Sequence, residues 1–362
     1  MSKTLKASIC YMIALLSFIT IRILSCYGVF SSFKGFLGDL EITILIQIVC
    51  LILLPFSFYR LTTNENLRTT LKNFGYKKIK LNTIFLCVIL GVIAFLFNMC
   101  ISSIWNFLLA LFGYSSRGSS NTLVYTNIVQ LIISLISTAV LPGFCEEFLH
   151  RGLFQSLLKE EKSYVFSVII TGVLFGLFHL NIYQTGYATF MGIFMGFLVV
   201  YSGSIFTAVI IHFMNNALNV FINFLNDLSP SIKNMFSSLE NLRTPSSIYG
   251  TIIFVVIFVI VALLLCYLTY RIFIKIIKNE KLQDCKYTSK EIALCIMFFN
   301  KNDFKKINDE NFKQKVVDIK NLFCLTYPLN NKKLEFKDYI LLITIIFLST
   351  IITIFTFIWG II

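Results

Sequence analysis

The chain has 362 residues, of which 57% are hydrophobic, 15% aromatic and only 14% charged, with a mean hydropathy of +0.81. A soluble domain carries roughly 25% charged residues, so this composition excludes a soluble protein and indicates one embedded in the lipid bilayer. Lysine and arginine outnumber aspartate and glutamate 31 to 18, for a net charge of +13, but they sit in short stretches between apolar runs, which is a topology signal and argues against a nucleic-acid partner.

Lys3 and Lys6 precede the first apolar run, and no small-residue cleavage site follows it, so the spacing predicts a retained first helix. A spanning helix needs about 20 apolar residues. Candidate spans follow at 7–27, 42–59, 82–111, 123–158 (broken near Pro142-Gly143), 164–181, 185–201, 203–225, 249–271 and 338–360. The fold class is therefore all-α, a polytopic transmembrane bundle of eight or nine spanning helices, with nine the preferred count. Ten cysteines are scattered without a CxxC pair, which suits buried small hydrophobes and not a disulfide framework or a thiolate metal site.

Five regions are expected. They are N-terminal helices over 1–122 with a basic loop at 60–80, a helical core over 123–225, a loop and helix over 226–275, a basic segment over 276–337 and a last helix over 338–362. Segment 60–80 holds Arg60, Arg68, Lys72, Lys77, Lys78 and Lys80, whereas 28–41, 112–122 and 226–248 hold only Lys34, Arg117, Lys233 and Arg243. With nine helices and a cytoplasmic N-terminus, each lysine-rich segment falls inside and each lysine-poor one outside. The abundance of Lys, Asn, Ile and Phe suits an AT-rich genome, which is consistent with a bacterial source, and a bacterial plasma membrane is the expected location.

Chemistry concentrates between 123 and 225. Glu146 and Glu147 are adjacent carboxylates in a predicted span, and charge near the bilayer centre is a functional-site signal by default. Glu147 and Arg151 are four apart and share a helix face, so an ion pair is expected there. Glu146, rotated by about 100°, is left for another task. The three histidines of the chain, His150, His179 and His212, all fall in the same region. On the predicted spans Glu146 lies about 18 Å from its cytoplasmic helix end, with His179 at about 22 Å, His212 at about 14 Å and Asn216 at about 20 Å. Polar groups from three helices thus reach similar depth and can converge on one buried site.

Plainer roles suit several residues. Glu147 with Arg151 reads as a helix-orienting pair, Asn216 alone as interhelical glue, Phe175 as core, Cys145 as a packed thiol, and His150 as a packed ring without a role. Gly172 with Gly176, and Gly192 with Gly196, carry the spacing that lets helices approach closely.

Three motifs stand in order: Glu146-Glu147-xxx-Arg151, Phe175-xxx-His179 and His212-xxx-Asn216. Over residues 125–225 the chain resembles the CPBP family, also called Abi or CAAX-protease-like intramembrane endopeptidases. That resemblance implies peptide-bond hydrolysis of a membrane-associated peptide or protein. Glu146 would activate water with help from His179, His212 and Asn216 would stabilise the oxyanion, and Glu147, Arg151 and Phe175 would support the site. Hydrolysis needs water, so a polar cavity is expected, with cytoplasmic access.

The resemblance admits either a glutamate-dependent, cofactor-free enzyme or a zinc site on Glu146, His179 and His212. The metal-free scheme is preferred, because no HExxH occurs and a carboxylate–histidine pair suffices. In bacteria, related chains are linked to bacteriocin maturation and self-immunity. A non-catalytic immunity factor or scaffold using the same polar cluster is the rival reading.

Overall fold

The computed structural model describes residues 1–30, 35–114, 124–229, 231, 232, 234, 248–281 and 336–361. It is all-helical among these residues. We number the helices α1 (Lys3–Cys26), α2 (Phe36–Leu61), α3 (Leu67–Asn73), α4 (Leu81–Leu111), α5 (Ile128–Glu161), α6 (Tyr164–Phe178), α7 (Ile182–Ser202), α8 (Phe206–Leu228), α9 (Ile248–Lys281) and α10 (Phe336–Ile361). Eight of them are long and apolar enough to cross a membrane, and α6 is shorter, at 15 residues. The protein is an integral membrane protein. Each of the nine expected spans corresponds to one of these helices, while most of the basic segment 276–337 lies outside the described residues.

Hydrogen bonds between helix ends sort the bundle into two faces. At the first, the Glu161 carboxylate at the end of α5 accepts from the backbone N–H groups of Lys3 and Thr4, at 2.9 Å each, capping the start of α1. A carboxylate there also complements the positive end of the helix dipole. Lys6 Nζ donates to the Thr62 carbonyl after α2, Lys80 Nζ to the Asn279 carbonyl on α9, and Lys162 Nζ to the Tyr339 hydroxyl on α10. Ile205 N–H, before α8, donates to the Gly75 carbonyl at 2.9 Å. This face carries Lys3, Lys6, Arg60, Lys80, Lys162 and Lys278.

At the opposite face Trp105 Nε1 donates to the Ile182 carbonyl, Tyr125 N–H to Asp227, and Tyr114 stacks on Phe357. The loops that begin or end there are the lysine-poor ones. Successive spans therefore alternate in direction, α6 included. At 1.5 Å per residue α6 is about 22 Å long, against about 30 Å of hydrocarbon, so it stops short of the lysine-poor face.

Two boundaries differ from expectation. The helix over 123–158 is not broken at Pro142-Gly143; α5 runs continuously from Ile128 to Glu161, with π-type turns at Leu135–Val140 and Phe148–Gln155. Proline lacks an N–H and crowds the carbonyl four residues back, and a π turn just before it relieves that crowding. The span over 164–181 ends earlier, at Phe178, so His179 caps a helix end instead of sitting within a helix. Leu180 adopts a left-handed φ of 49°, which closes α6, and Asn181 Oδ1 then accepts from Tyr183 N–H to open α7. The left-handed conformation costs a non-glycine residue about 1–2 kcal/mol. Packing of Leu180 against the main hydrophobic cluster offsets this.

Helices α6 and α7 pack at glycine-to-glycine range. A Cβ built on Gly192 would lie 2.9 Å from the Gly172 Cα, and one on Gly176 would lie 2.6 Å from the Thr185 carbonyl and 2.0 Å from Thr189 Oγ1. The expected small-residue seam is real, and it sets the position of His179. Gly176→Ala should therefore destabilise the fold by about 1–3 kcal/mol, the usual range for overpacking. Thermal unfolding in detergent measures this, and an unchanged midpoint would show the seam to be slack.

Candidate active site

A cavity of about 1410 Å³ lies among α1, α2, α4, α5, α6, α7, α8 and α9. Its lining includes Glu146, Phe175, His179, His212 and Asn216, so the structure brings these five expected residues together. Glu147 and Arg151 stand behind the wall, fully buried.

Glu147 Oε1 accepts from Arg151 Nη1 at 2.8 Å, as the spacing predicted. The same oxygen lies 2.9 Å from His212 Nδ1, a contact the spacing could not reveal. Arg151 Nη2 donates to the Gly192 carbonyl at 3.0 Å, and its guanidinium lies 4.4 Å from the centroid of the Phe175 ring. One buried pair thus ties α5 to α6, α7 and α8. Because an ionised carboxylate only accepts, His212 Nδ1 carries the hydrogen and Nε2 is turned toward Glu146, 3.9 Å from Oε2.

His179 Nδ1 lies 2.9 Å from the Phe175 carbonyl, so it too carries hydrogen and leaves Nε2 as an acceptor. Glu146 finds its hydrogen-bond partner outside the three motifs. Its Oε1 accepts from Gln47 Nε2 at 2.9 Å, and its nearer histidine is His212; His179 lines the same cavity without a hydrogen bond to it.

Gln47 sits in a π-type turn of α2, 6% exposed, and the sequence reading missed it. A lone amide in an apolar span was the only available signal. His150, left without a role above, is fully buried and engaged on both ring nitrogens. Its Nδ1 donates to the Glu146 carbonyl at 2.7 Å, and its Nε2 lies 3.0 Å from the Tyr11 hydroxyl on α1. Cys145 is a packed core thiol.

Asn216 ends a chain of amides. Asn98 Nδ2 donates to Asn215 Oδ1 at 3.3 Å, and Asn215 Nδ2 to Asn216 Oδ1 at 3.0 Å. Asn216 Nδ2 in turn donates to the Thr138 carbonyl at 2.9 Å. That carbonyl is the one a helical N–H at position 142 would ordinarily take, and Pro142 has none to give. One hydrogen of the Asn216 amide remains uncommitted.

Among the described residues no three His, Cys, Asp or Glu side chains are placed to hold a metal ion. Glu146, His179 and His212 share the cavity but do not gather as ligands.

The helical bundle thus holds one cavity lined by Glu146, His179 and His212, with Glu147 buried behind it. Residues 128–218 match the family model described as Rce1-like, type II CAAX prenyl endopeptidase Rce1-like, which is the family that the three motifs resemble. The match covers about a quarter of the chain and takes in every expected site residue. The class it supports is a CAAX-type intramembrane protease, whose substrate is a peptide or protein in a membrane. No curated protein and no solved structure matches the chain.

Proposed function

We propose that the protein is a glutamate-dependent intramembrane endopeptidase. The observation that carries this reading is the convergence of Glu146, His179, His212 and Asn216 on one polar cavity inside a membrane bundle. Glu146 takes a proton from water while His179 Nε2 accepts the other water hydrogen, and the hydroxide adds to the scissile carbonyl. The developing oxyanion is met by the free hydrogen of Asn216 and by His212 Nε2 when that nitrogen is protonated. Such donors act most strongly where water is scarce. Glu146 then returns the proton to the leaving nitrogen as the C–N bond breaks. Gln47 and the His150–Glu146 backbone contact hold the base in place, and Glu147 fixes the His212 ring.

In this reading the N-terminus is cytoplasmic, supported by the basic residues gathered on the face where α1 begins, and the bacterial source is supported by composition alone. Bacteriocin maturation or self-immunity is the setting that the family resemblance suggests.

The test is cleavage by the full-length protein in lipid vesicles that contain membrane-anchored peptides, with products read by mass spectrometry. His179→Ala should abolish cleavage without lowering the unfolding midpoint by more than a few degrees. Intact cleavage in that variant would leave the non-catalytic scaffold as the better account. Stripping divalent metal with a chelator should leave the rate unchanged, and a loss restored by added zinc would replace this scheme with a metalloprotease.

A further inference from the structure

We propose, resting on the hydrolytic reading above, that the catalytic cavity is loaded from the extracytoplasmic side. Its substrates are then unmodified polypeptide segments exposed at that surface. Cytoplasmic access was the expectation from sequence, and the position of the lining opposes it.

On α4, which begins at the basic face, the lining runs from Phe95 to Ala110, the next-to-last residue of the helix. On α8 it runs from His212 to Ile222, again away from the basic end. On α7, which runs the other way, it extends from Met195 to Tyr183, the second residue. Arg22, near the far end of α1, completes the rim. The floor is formed by Glu146, Met195 and His212.

Between that floor and the basic face the bundle is shut. Phe56, Tyr59, Phe74, Tyr76 and Phe148 pack together there with ring centroids 5.2 to 6.4 Å apart. Gly152 and Ile205 close beside them. The cavity therefore reaches the lysine-poor face, which the distribution of lysine and arginine places outside the cell.

The chemistry of the walls suits a bare peptide. Asn98, Ser102 and Asn106 on α4 face a cavity also lined by Asn215, Asn219 and Gln184. These uncharged side chains both donate and accept, as a peptide backbone does. Some of that capacity is spent in the Asn98–Asn215 and Asn106–Ser102 bonds, and the apolar lining beside them, Phe95, Met99, Phe107 and Met191 included, suits the peptide's side chains. Residues four apart on a helix rise by about 6 Å. That is close to the roughly 6.6–6.8 Å between same-side groups of an extended chain. Small-molecule pockets typically span about 300–1,000 Å³, so the cavity is large enough for several residues.

Side-specific thiol labelling tests this in cells making the full-length protein. Asn106→Cys and Gln184→Cys place a thiol in the outer cavity, and Lys72→Cys places one on α3 at the basic face. The probe is a membrane-impermeant maleimide, and each added adduct is read against the parent chain. We expect Asn106→Cys or Gln184→Cys to be modified in intact cells, and Lys72→Cys only after permeabilisation. If all three are modified only after permeabilisation, the cavity opens to the cytoplasm and the proposal is wrong. Modification of Lys72→Cys in intact cells would instead overturn the topology. Cavity thiols that react only after denaturation would show that the outer end is sealed, which also overturns it. None of these outcomes depends on cleavage, so failure of the hydrolytic reading is seen separately in the His179→Ala assay.

Discussion

Glu146→Gln should lower kcat by about 10²–10⁴-fold, the range that a positioned general base supplies. The change is nearly isosteric. A glutamine oxygen can still accept from Gln47, whose Nε2 lies 2.9 Å from Glu146 Oε1, so the fold should be retained. What is lost is the capacity to take a proton from water and return it to the leaving nitrogen. Single-turnover cleavage of a membrane-anchored peptide, alongside thermal unfolding, separates the two effects. A variant that cleaves at the parental rate would remove Glu146 from the mechanism and reopen the scaffold reading.

Arg151→Ala is expected to act in the opposite way, on stability first. Removing the guanidinium leaves the Glu147 carboxylate buried without its partner, and breaking such a pair typically costs about 3–5 kcal/mol. Lysine should not rescue the loss. The arginine serves Glu147 with one nitrogen and the Gly192 carbonyl with another while lying over Phe175, and a single ammonium cannot reproduce that fork. The double change Glu147→Gln with Arg151→Met should recover much of the stability, because paired removal leaves no isolated charge. It should stay inactive, since His212 would lose its carboxylate partner. Denaturant unfolding with parallel activity measurements checks both halves. An Arg151→Ala protein as stable as the parent would mean that Glu147 finds another partner.

Much of the architecture was legible because membrane spans announce themselves by length and apolarity. The places where reading failed have local causes. Pro142 suggests a break only if its missing hydrogen bond is counted as a defect; a π turn and the Asn216 amide absorb it. The end of α6 was hidden because Leu180 is as apolar as the helix before it, and its left-handed conformation leaves no mark in composition. In the site, the spacing correctly paired Glu147 with Arg151, but the second bond of Glu147 to His212 joins residues 65 apart in sequence. Gln47 and Tyr11 meet the site from α2 and α1, outside the matched segment, and no spacing rule reaches them.

The aromatic cluster beneath Glu146 has an electrical consequence. A transmembrane voltage falls across whatever does not conduct, and a cavity filled with water and open at the lysine-poor face conducts. The drop, worth about 2.3 kcal/mol per elementary charge at 100 mV, would then be concentrated across Phe56, Tyr59, Phe74, Tyr76 and Phe148. Protons and charged peptide ends reaching Glu146 would cross almost none of it. Turnover should then be insensitive to membrane potential, because these five rings serve as the insulator of the cell at this point.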